Sequence, residues 1–281
     1  MYTTPFLETE IKSASFFGGR THLYHIVDPS PWPFLLSLGA GIPIPVGAVM
    51  YMHREPYGGI LLLAGFLVLA LLAGLWWLDV VIEGTFQGMH TVPVQTGLRL
   101  GMILFIISEV MFFASFFWAF FHSSLAPTIQ IGSIWPPTSI LAFSPWGVPL
   151  LNTFILLTSG LTVTAAHHYL LHGQLKETSN ALILTVLLAI SFTLLQLFEY
   201  IEAPFNISDG IYGSVFFMAT GFHGFHVLVG TFFLTIVLLR VLKGHFSTTH
   251  HIGFEAAAWY WHFVDVVWLF LFVVVYWWGG K

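Results

Sequence analysis

The sequence contains no cysteine in 281 residues, and Asp, Glu, Lys and Arg together make up only 7% of it. The missing thiols exclude disulfides, thiolate-held metals, iron–sulfur clusters and a cysteine nucleophile. The scarcity of charge excludes more. A soluble domain carries about 25% charged residues, so this chain cannot cover a water-facing surface, and lipid must be its solvent. The net charge is −5 and there is no basic tract, which removes nucleic acid as a partner. There is no internal repeat of the kind that builds inverted-repeat transporters. Nor is there a nucleotide loop, a nucleophile elbow or a zinc-protease motif. The start of the chain lacks the charged end, apolar core and small-residue cleavage site of a secretory signal. With Lys12 and Arg20, residues 1–21 read instead as an N-terminal extension ahead of a main domain over 22–281.

What the sequence has in abundance is apolar and aromatic: 57% hydrophobic residues, 29 Phe and 11 Trp. A bilayer core about 30 Å thick needs about 20 apolar residues per helical crossing. Seven stretches qualify: 34–52, 60–78, 98–121, 148–171, 181–201, 211–239 and 256–278. They predict an all-α membrane protein with seven transmembrane helices. The first span carries Pro43 and Pro45 and should kink there. A polar loop over 79–97, with Asp79, Glu83 and His90, sets spans one and two apart from spans three to seven. Seven crossings put the termini on opposite sides. Lys12, Arg20, Arg99, Lys176, Arg240 and Lys243 fall on the N-terminal side, against Arg54 and Lys281 on the other. That bias turns the N-terminus toward a cytoplasm or a mitochondrial matrix.

Glu109 lies in the third span, in GMILFIISEVMFFASFFWAFF over 101–121. A charged side chain at mid-span costs roughly 2.5–3.5 kcal/mol or more. The residue is therefore either part of a proton relay or a hydrogen-bonding group between helices. His223 and His226 stand one helical turn apart in GFHGFH and are its candidate partners; Ser108 and Ser115 share its helix. His262 and Asp265 are spaced in the same way, and His167 and His168 end span four. Neutral imidazoles suit haem or copper, but this spacing alone is more often interhelical hydrogen bonding. Glu199 and Glu202 flank Tyr200 at the end of span five and read as solvent-facing interfacial carboxylates. Trp77, Glu83 and His90, with Arg240, Lys243 and His245, have the composition of a lipid head-group site, cationic groups and tryptophan at head-group depth. Ordinary interface anchoring uses the same residues.

Several long runs taken together resemble a known family. They include HIVDPSPWP (25–33), GMILFIISEVMFFASFFWAFFHSSLAP (101–127), PLLNTFILLTSG (149–160), EAPFNISDGIYGSVFFMATGFHGFHVLVGT (202–231) and HHIGFEAAAWYWHFVDVVWLFLFVVVYWWG (250–279). These resemble subunit III of the aa3-type cytochrome c oxidase in its mitochondrial or α-proteobacterial form.

The resemblance implies two helix groups, spans one and two and spans three to seven, enclosing a V-shaped cleft filled by phospholipids. It implies a non-redox core subunit of respiratory complex IV, with no metal or other cofactor in this chain. Haem a, haem a3 and copper belong to partner subunits I and II. The chain would stabilise subunit I, hold lipids, and aid proton uptake and oxygen access while the complex passes electrons from cytochrome c to oxygen and pumps protons. Further partners implied are accessory subunits, phospholipids including cardiolipin, and a respiratory supercomplex. The location implied is the mitochondrial inner membrane with the N-terminus toward the matrix, or the bacterial plasma membrane. Glu109 matches the family's buried glutamate near the proton path, and Trp77, Glu83, His90, Arg240 and His245 match positions near lipid head groups. The chain departs from the family at Leu78 and Ile82, where many members carry basic residues. An anionic lipid should therefore bind differently there. Two alternatives stay open: the equivalent subunit of a quinol oxidase, and a free-standing membrane proton channel or transporter.

Overall fold

Each apolar run becomes a helix, and most of the helices run further than their apolar cores. The computed structural model describes residues 22–281, so the expected extension over 1–21 lies outside the described residues. Among the described residues the regular structure is helical throughout. The long helices are α1 (Trp32–Gly39), α2 (Pro43–Met52), α3 (Gly58–Thr85), α4 (Val92–Leu125), α5 (Val148–Leu171), α6 (Leu175–Ile201), α7 (Gly210–Leu242) and α8 (Ile252–Leu271). A π-helical stretch, Phe272–Trp278, continues α8. Counting α1 with α2, and α8 with its extension, seven helical segments among the described residues are long and apolar enough to cross a membrane.

The expected kink in the first span is a full interruption between Gly39 and Pro43. Pro43 has no amide to donate to the Gly39 carbonyl, so the helix stops and a new one starts with proline in its first turn.

The polar loop expected over 79–97 is mostly helix. α3 continues to Thr85 and α4 begins at Val92, leaving a link of residues 86–91. Asp79 and Glu83 are therefore helical. No proline lies between Leu78 and Thr85, and the one glycine, Gly84, falls in the last turn, so the helix runs on past the apolar residues that mark the hydrocarbon zone. The chain turns at Gly88, whose φ of 64° suits glycine. For the same reason α6 starts at Leu175, not near 181, and takes Lys176, Glu177 and Asn180 into its first turns.

The chain forms two compact units, one ending at Gly97 and the other Leu98–Lys281. In the first unit α1 and α2 both pack on α3, and Trp32 Nε1 donates to the Asp79 carboxylate. In the second unit α8 is the most deeply buried span. The close helix pairs there are α5 with α6, α6 with α7, α7 with α8, and α5 with α8.

Lipid is as apolar as leucine, so packing and interhelical hydrogen bonds must hold these helices together. α5 supplies a face of small and polar residues: Asn152, Thr153, Ser159, Gly160, Val163 and Ala166, all buried. Trp261 Nε1 donates to Ser159 Oγ at 2.9 Å, and Trp268 Nε1 donates to Thr153 Oγ1 at 2.9 Å. On the other side of Trp261, Gly230 of α7 lies so close that a Cβ there would sit 2.9 Å from the indole. Within this unit α4 approaches no other helix as closely. Large aromatic rings space it off, with Phe112 against Phe222, Phe113 against Phe263 and Phe105 against Tyr260.

Candidate functional site

Two polar links cross the aromatic spacing between α4 and the rest of its unit. At one end of α4, Arg99 donates to both carboxylate oxygens of Glu255, from Nε at 2.7 Å and from a terminal nitrogen at 3.0 Å. Near the middle of α4, Glu109 Oε2 lies 2.8 Å from His226 Nε2 on α7.

The second link sets a constraint on protons. His226 Nδ1 is 2.7 Å from the Phe222 carbonyl. A carbonyl can only accept, so Nδ1 carries a hydrogen. The Nε2–Oε2 contact then needs a second proton. Either Glu109 is the neutral acid and donates to a neutral ring, or His226 is an imidazolium and donates to a carboxylate. Without that proton, a ring lone pair would face a carboxylate at hydrogen-bonding distance. The pair therefore holds one transferable proton between two helices.

Its surroundings are apolar. The His226 ring meets Phe113 at 4.9 Å between centroids, with Phe225 and Phe263 at 5.9 and 6.2 Å. The His226 side chain is 8% exposed, while that of Glu109 is 23% exposed. The carboxyl is thus the open side of the pair.

His223, the other candidate partner, is turned away. Its Nε2 lies 3.2 Å from the Val264 carbonyl, between Phe192 and Trp268. Ser108 and Ser115 donate back to carbonyls of their own helix, at Phe105 and Phe112. His262 contacts Thr164 Oγ1 at 3.1 Å and lies 3.8 Å from Asp265. Imidazoles of spans six and seven are thus directed at separate carbonyl, hydroxyl and carboxylate groups rather than converging on one point.

Glu199 departs from expectation. It is not solvent-facing but 3% exposed, accepting from Tyr276 Oη at 2.6 Å and from Gln196 Nε2 at 3.3 Å. Glu202, three residues on, is exposed. The reason is packing: in the last turn of α6 Glu199 faces inward, toward the π-helical stretch that presents Tyr276, whereas Glu202 lies past the end of the helix at Ile201.

The six residues with head-group chemistry form two sets, one in each unit. In the first unit, Glu83 Oε2 lies 3.9 Å from His25 Nε2, and the His25 and His90 rings are 6.2 Å apart. His90 packs against Gly84, where any side chain would strike the imidazole. Trp77 is exposed on α3. His25 was not marked by sequence reasoning. It stands 58 residues from Glu83, and its one signal was its place at the start of the HIVDPSPWP run.

In the second unit, Arg240 in the last turn of α7 lies 4.3 Å over the Phe246 ring. Lys243 and His245 follow in the turn, where the His245 amide bonds the Arg240 carbonyl at 3.0 Å. Partial burial and the positive charges of Arg240 and Lys243 hold the His245 pKa below the ordinary histidine value.

A family model described as cytochrome c oxidase subunit III matches residues 22–280. Among similar proteins, the cytochrome c oxidase subunit 3 of Marchantia polymorpha is 62% identical over 262 residues, covering 93% of this chain and 98% of that one. Its counterpart from Prototheca wickerhamii is 61% identical over 261 residues, covering 93% and 99%. The subunit from Dugong dugon is also 61% identical over 261 residues, with the same coverage.

Proposed function

The chain belongs to the cytochrome c oxidase subunit III family, and from that premise we propose that its Glu109–His226 pair stores a proton for the enzyme it helps to build. The observation that carries this reading is the bonding of His226. Its Nδ1 is committed to the Phe222 carbonyl, so the 2.8 Å contact with Glu109 is made through a proton that can sit on either atom. A group of this kind at mid-membrane suits the support of proton uptake, because the proton leaves without breaking the helix that holds it.

The wider role follows from membership of an oxidoreductase complex. The chain serves as a multi-pass subunit of complex IV in the mitochondrial inner membrane, with its N-terminus toward the matrix. It lends stability to subunit I, while haem and copper reside in subunits I and II. The donor chemistry supports this division: the imidazoles of the sixth and seventh spans are engaged separately. Lipid holding is assigned to the two sets of polar side chains. Arg240 and Lys243 supply cationic charge for an anionic head group, and Trp77 supplies a ring at head-group depth. Without basic residues at positions 78 and 82, the first set recognises head groups through Glu83, His25 and His90, and suits zwitterionic lipid better than anionic lipid.

The proton role is tested in the assembled oxidase by measuring proton uptake and the number of turnovers before inactivation. Glu109→Ala should slow uptake and shorten the working lifetime, and His226→Phe should do the same while leaving Glu109 in place. Unchanged values in both variants would reduce the pair to a structural hydrogen bond.

A further inference from the structure

Away from Glu109, three metal-ligating side chains converge where α5 ends and α8 begins. His167 is in the last turns of α5, His251 immediately precedes α8, and Glu255 is in its first turn. One donor atom from each lies within 4.8 Å of the others. By the 1.5 Å rise per residue, the neighbouring Arg99 lies about 15 Å along α4 from Glu109. The trio is therefore separate from the proton-holding pair.

We propose that His167, His251 and Glu255 form a binding site for a divalent transition metal, with zinc as the ion that fits best. Two imidazoles and one carboxylate are a donor set that zinc accepts, leaving a fourth position for water. Magnesium and calcium prefer oxygen ligands throughout, and copper(I) prefers sulfur.

The orientation of His251 supports a cation. Its Nδ1 lies 3.0 Å from the Ser247 carbonyl, which fixes the hydrogen on that nitrogen. The lone pair of Nε2 then faces Glu255 Oε1 at 3.3 Å, in a residue only 5% exposed. A ring lone pair against a carboxylate oxygen at that distance is relieved by a proton or by a metal ion shared between them, beside the Arg99 guanidinium that already holds the carboxylate. A backbone carbonyl holding the remote nitrogen is also the usual outer partner of a metal-ligating histidine.

His167 gives an independent sign. Its Nε2 is buried and has no hydrogen-bond partner. The ring is held in position by Phe254, 5.4 Å away and stacked, and by the edge of His251 at 5.3 Å. An orphaned imidazole nitrogen beside a second imidazole and a carboxylate is explained by an ion that the protein binds there. Glu255 is oriented for the site by Arg99, which grips it through both oxygens.

The test uses the assembled oxidase, stripped with a chelator and then given zinc alone. Diffraction collected at the zinc edge should show an anomalous peak within about 2.0–2.2 Å of both imidazoles and the carboxylate. The His251→Ala complex should bind one zinc ion fewer than the parent by elemental analysis, while the haem content stays the same. Absence of zinc-edge density at the trio in the parent complex overturns the proposal and leaves an imidazolium–carboxylate pair as the explanation. Equal zinc content in parent and variant also overturns it. If His251→Ala fails to assemble, the diffraction result on the parent decides alone.

Discussion

Arg99 and Glu255, 156 positions apart in sequence, are joined by two parallel hydrogen bonds that tie the start of α4 to the start of α8. This fork is placed where α4 needs it, because α4 keeps more backbone distance from its neighbours than the other helices of its unit do. The Arg99 side chain is 36% exposed, whereas Glu255 is 12% exposed. The two halves of the pair are therefore unequal. Arg99→Gln strands a mostly buried carboxylate, while Glu255→Gln leaves a cation that can reach water. We expect Arg99→Gln to destabilise the subunit by about 1–2 kcal/mol, between the values for exposed and buried pairs. Glu255→Gln should cost less. Thermal dissociation of the subunit from the complex in detergent measures both, and the reverse order would mean that the exposures do not decide the cost.

Trp261 is held between Ser159 on one side and Gly230 on the other, and the two contacts fail in different ways. Trp261→Phe loses the indole hydrogen bond, worth about 0.6 kcal/mol on average within a membrane bundle, and leaves a small void. Gly230→Ala forces a methyl group against a rigid ring, an overpacking cost of about 1–3 kcal/mol. The double variant should be less damaged than the sum of the two, because phenylalanine lacks the part of the ring that the new methyl would strike. A double-mutant cycle on thermal stability reads this coupling directly. Simple additivity would show that Gly230 has no role in seating Trp261.

The basic turn after α7 should respond to pH through His245 and to mutation through Lys243. The His245 pKa is lowered by burial and by the two cations beside it. A lowered value means that the ring is neutral at pH 7–8 and gains charge only as pH falls below the ordinary histidine range, near 6.5. In the unfolded chain the same ring protonates earlier, so this group detracts from stability as pH falls and does not do so above that range. Retention of anionic phospholipid by the purified complex should be flat from pH 8 to 7 and rise in acid. Lys243→Ala should cost about 1 kcal/mol of head-group attraction and move the acid rise to higher pH, since one of the repelling charges is gone. Lipid mass spectrometry over a pH series checks both, and a rise already complete at pH 7.5 would contradict the assignment.

The seven crossings were legible in the sequence because each is a predominantly apolar run of about the length a bilayer needs, and lipid demands that of a helix. The ends of the helices were not legible. Asp79, Glu83 and Lys176 sit on helical turns that extend beyond the apolar zone, and hydropathy is silent once the chain is in the head groups. Glu109 could be picked out from its energy cost alone, but its partner could not. His223 and His226 lie on the same face of α7, and only the packing of α8 and α4 against it decides that one meets a carbonyl and the other a carboxyl. Glu199 differs from its expected setting for a related reason. Its position at the end of an apolar run suggested water, whereas α6 and the π-helical stretch close over it and Tyr276.

Three carboxyls of the second unit lie within the spans away from the helix ends or in closed packing, and their differing exposure gives a chemical prediction. Glu199 is 3% exposed and Asp265 is 6% exposed, so both are sealed. Glu109 is reached from outside the bundle through its 23% exposed side chain, and its bond to His226 contains a proton. A hydrophobic carbodiimide reacts with a protonated carboxyl that it can reach from lipid. It should therefore modify Glu109 first, ahead of sealed Glu199 and Asp265 and ahead of Asp79, Glu83 and Glu202 nearer the head groups. The reaction adds a bulky group where His226 now sits, so the modified enzyme should lose proton uptake as Glu109→Ala does, with no additional loss when the reagent is applied to that variant. Peptide mapping after brief exposure identifies the site. Equal labelling of Glu109 and Glu202 would mean that the pair holds no proton on the glutamate, and that His226 carries the charge instead.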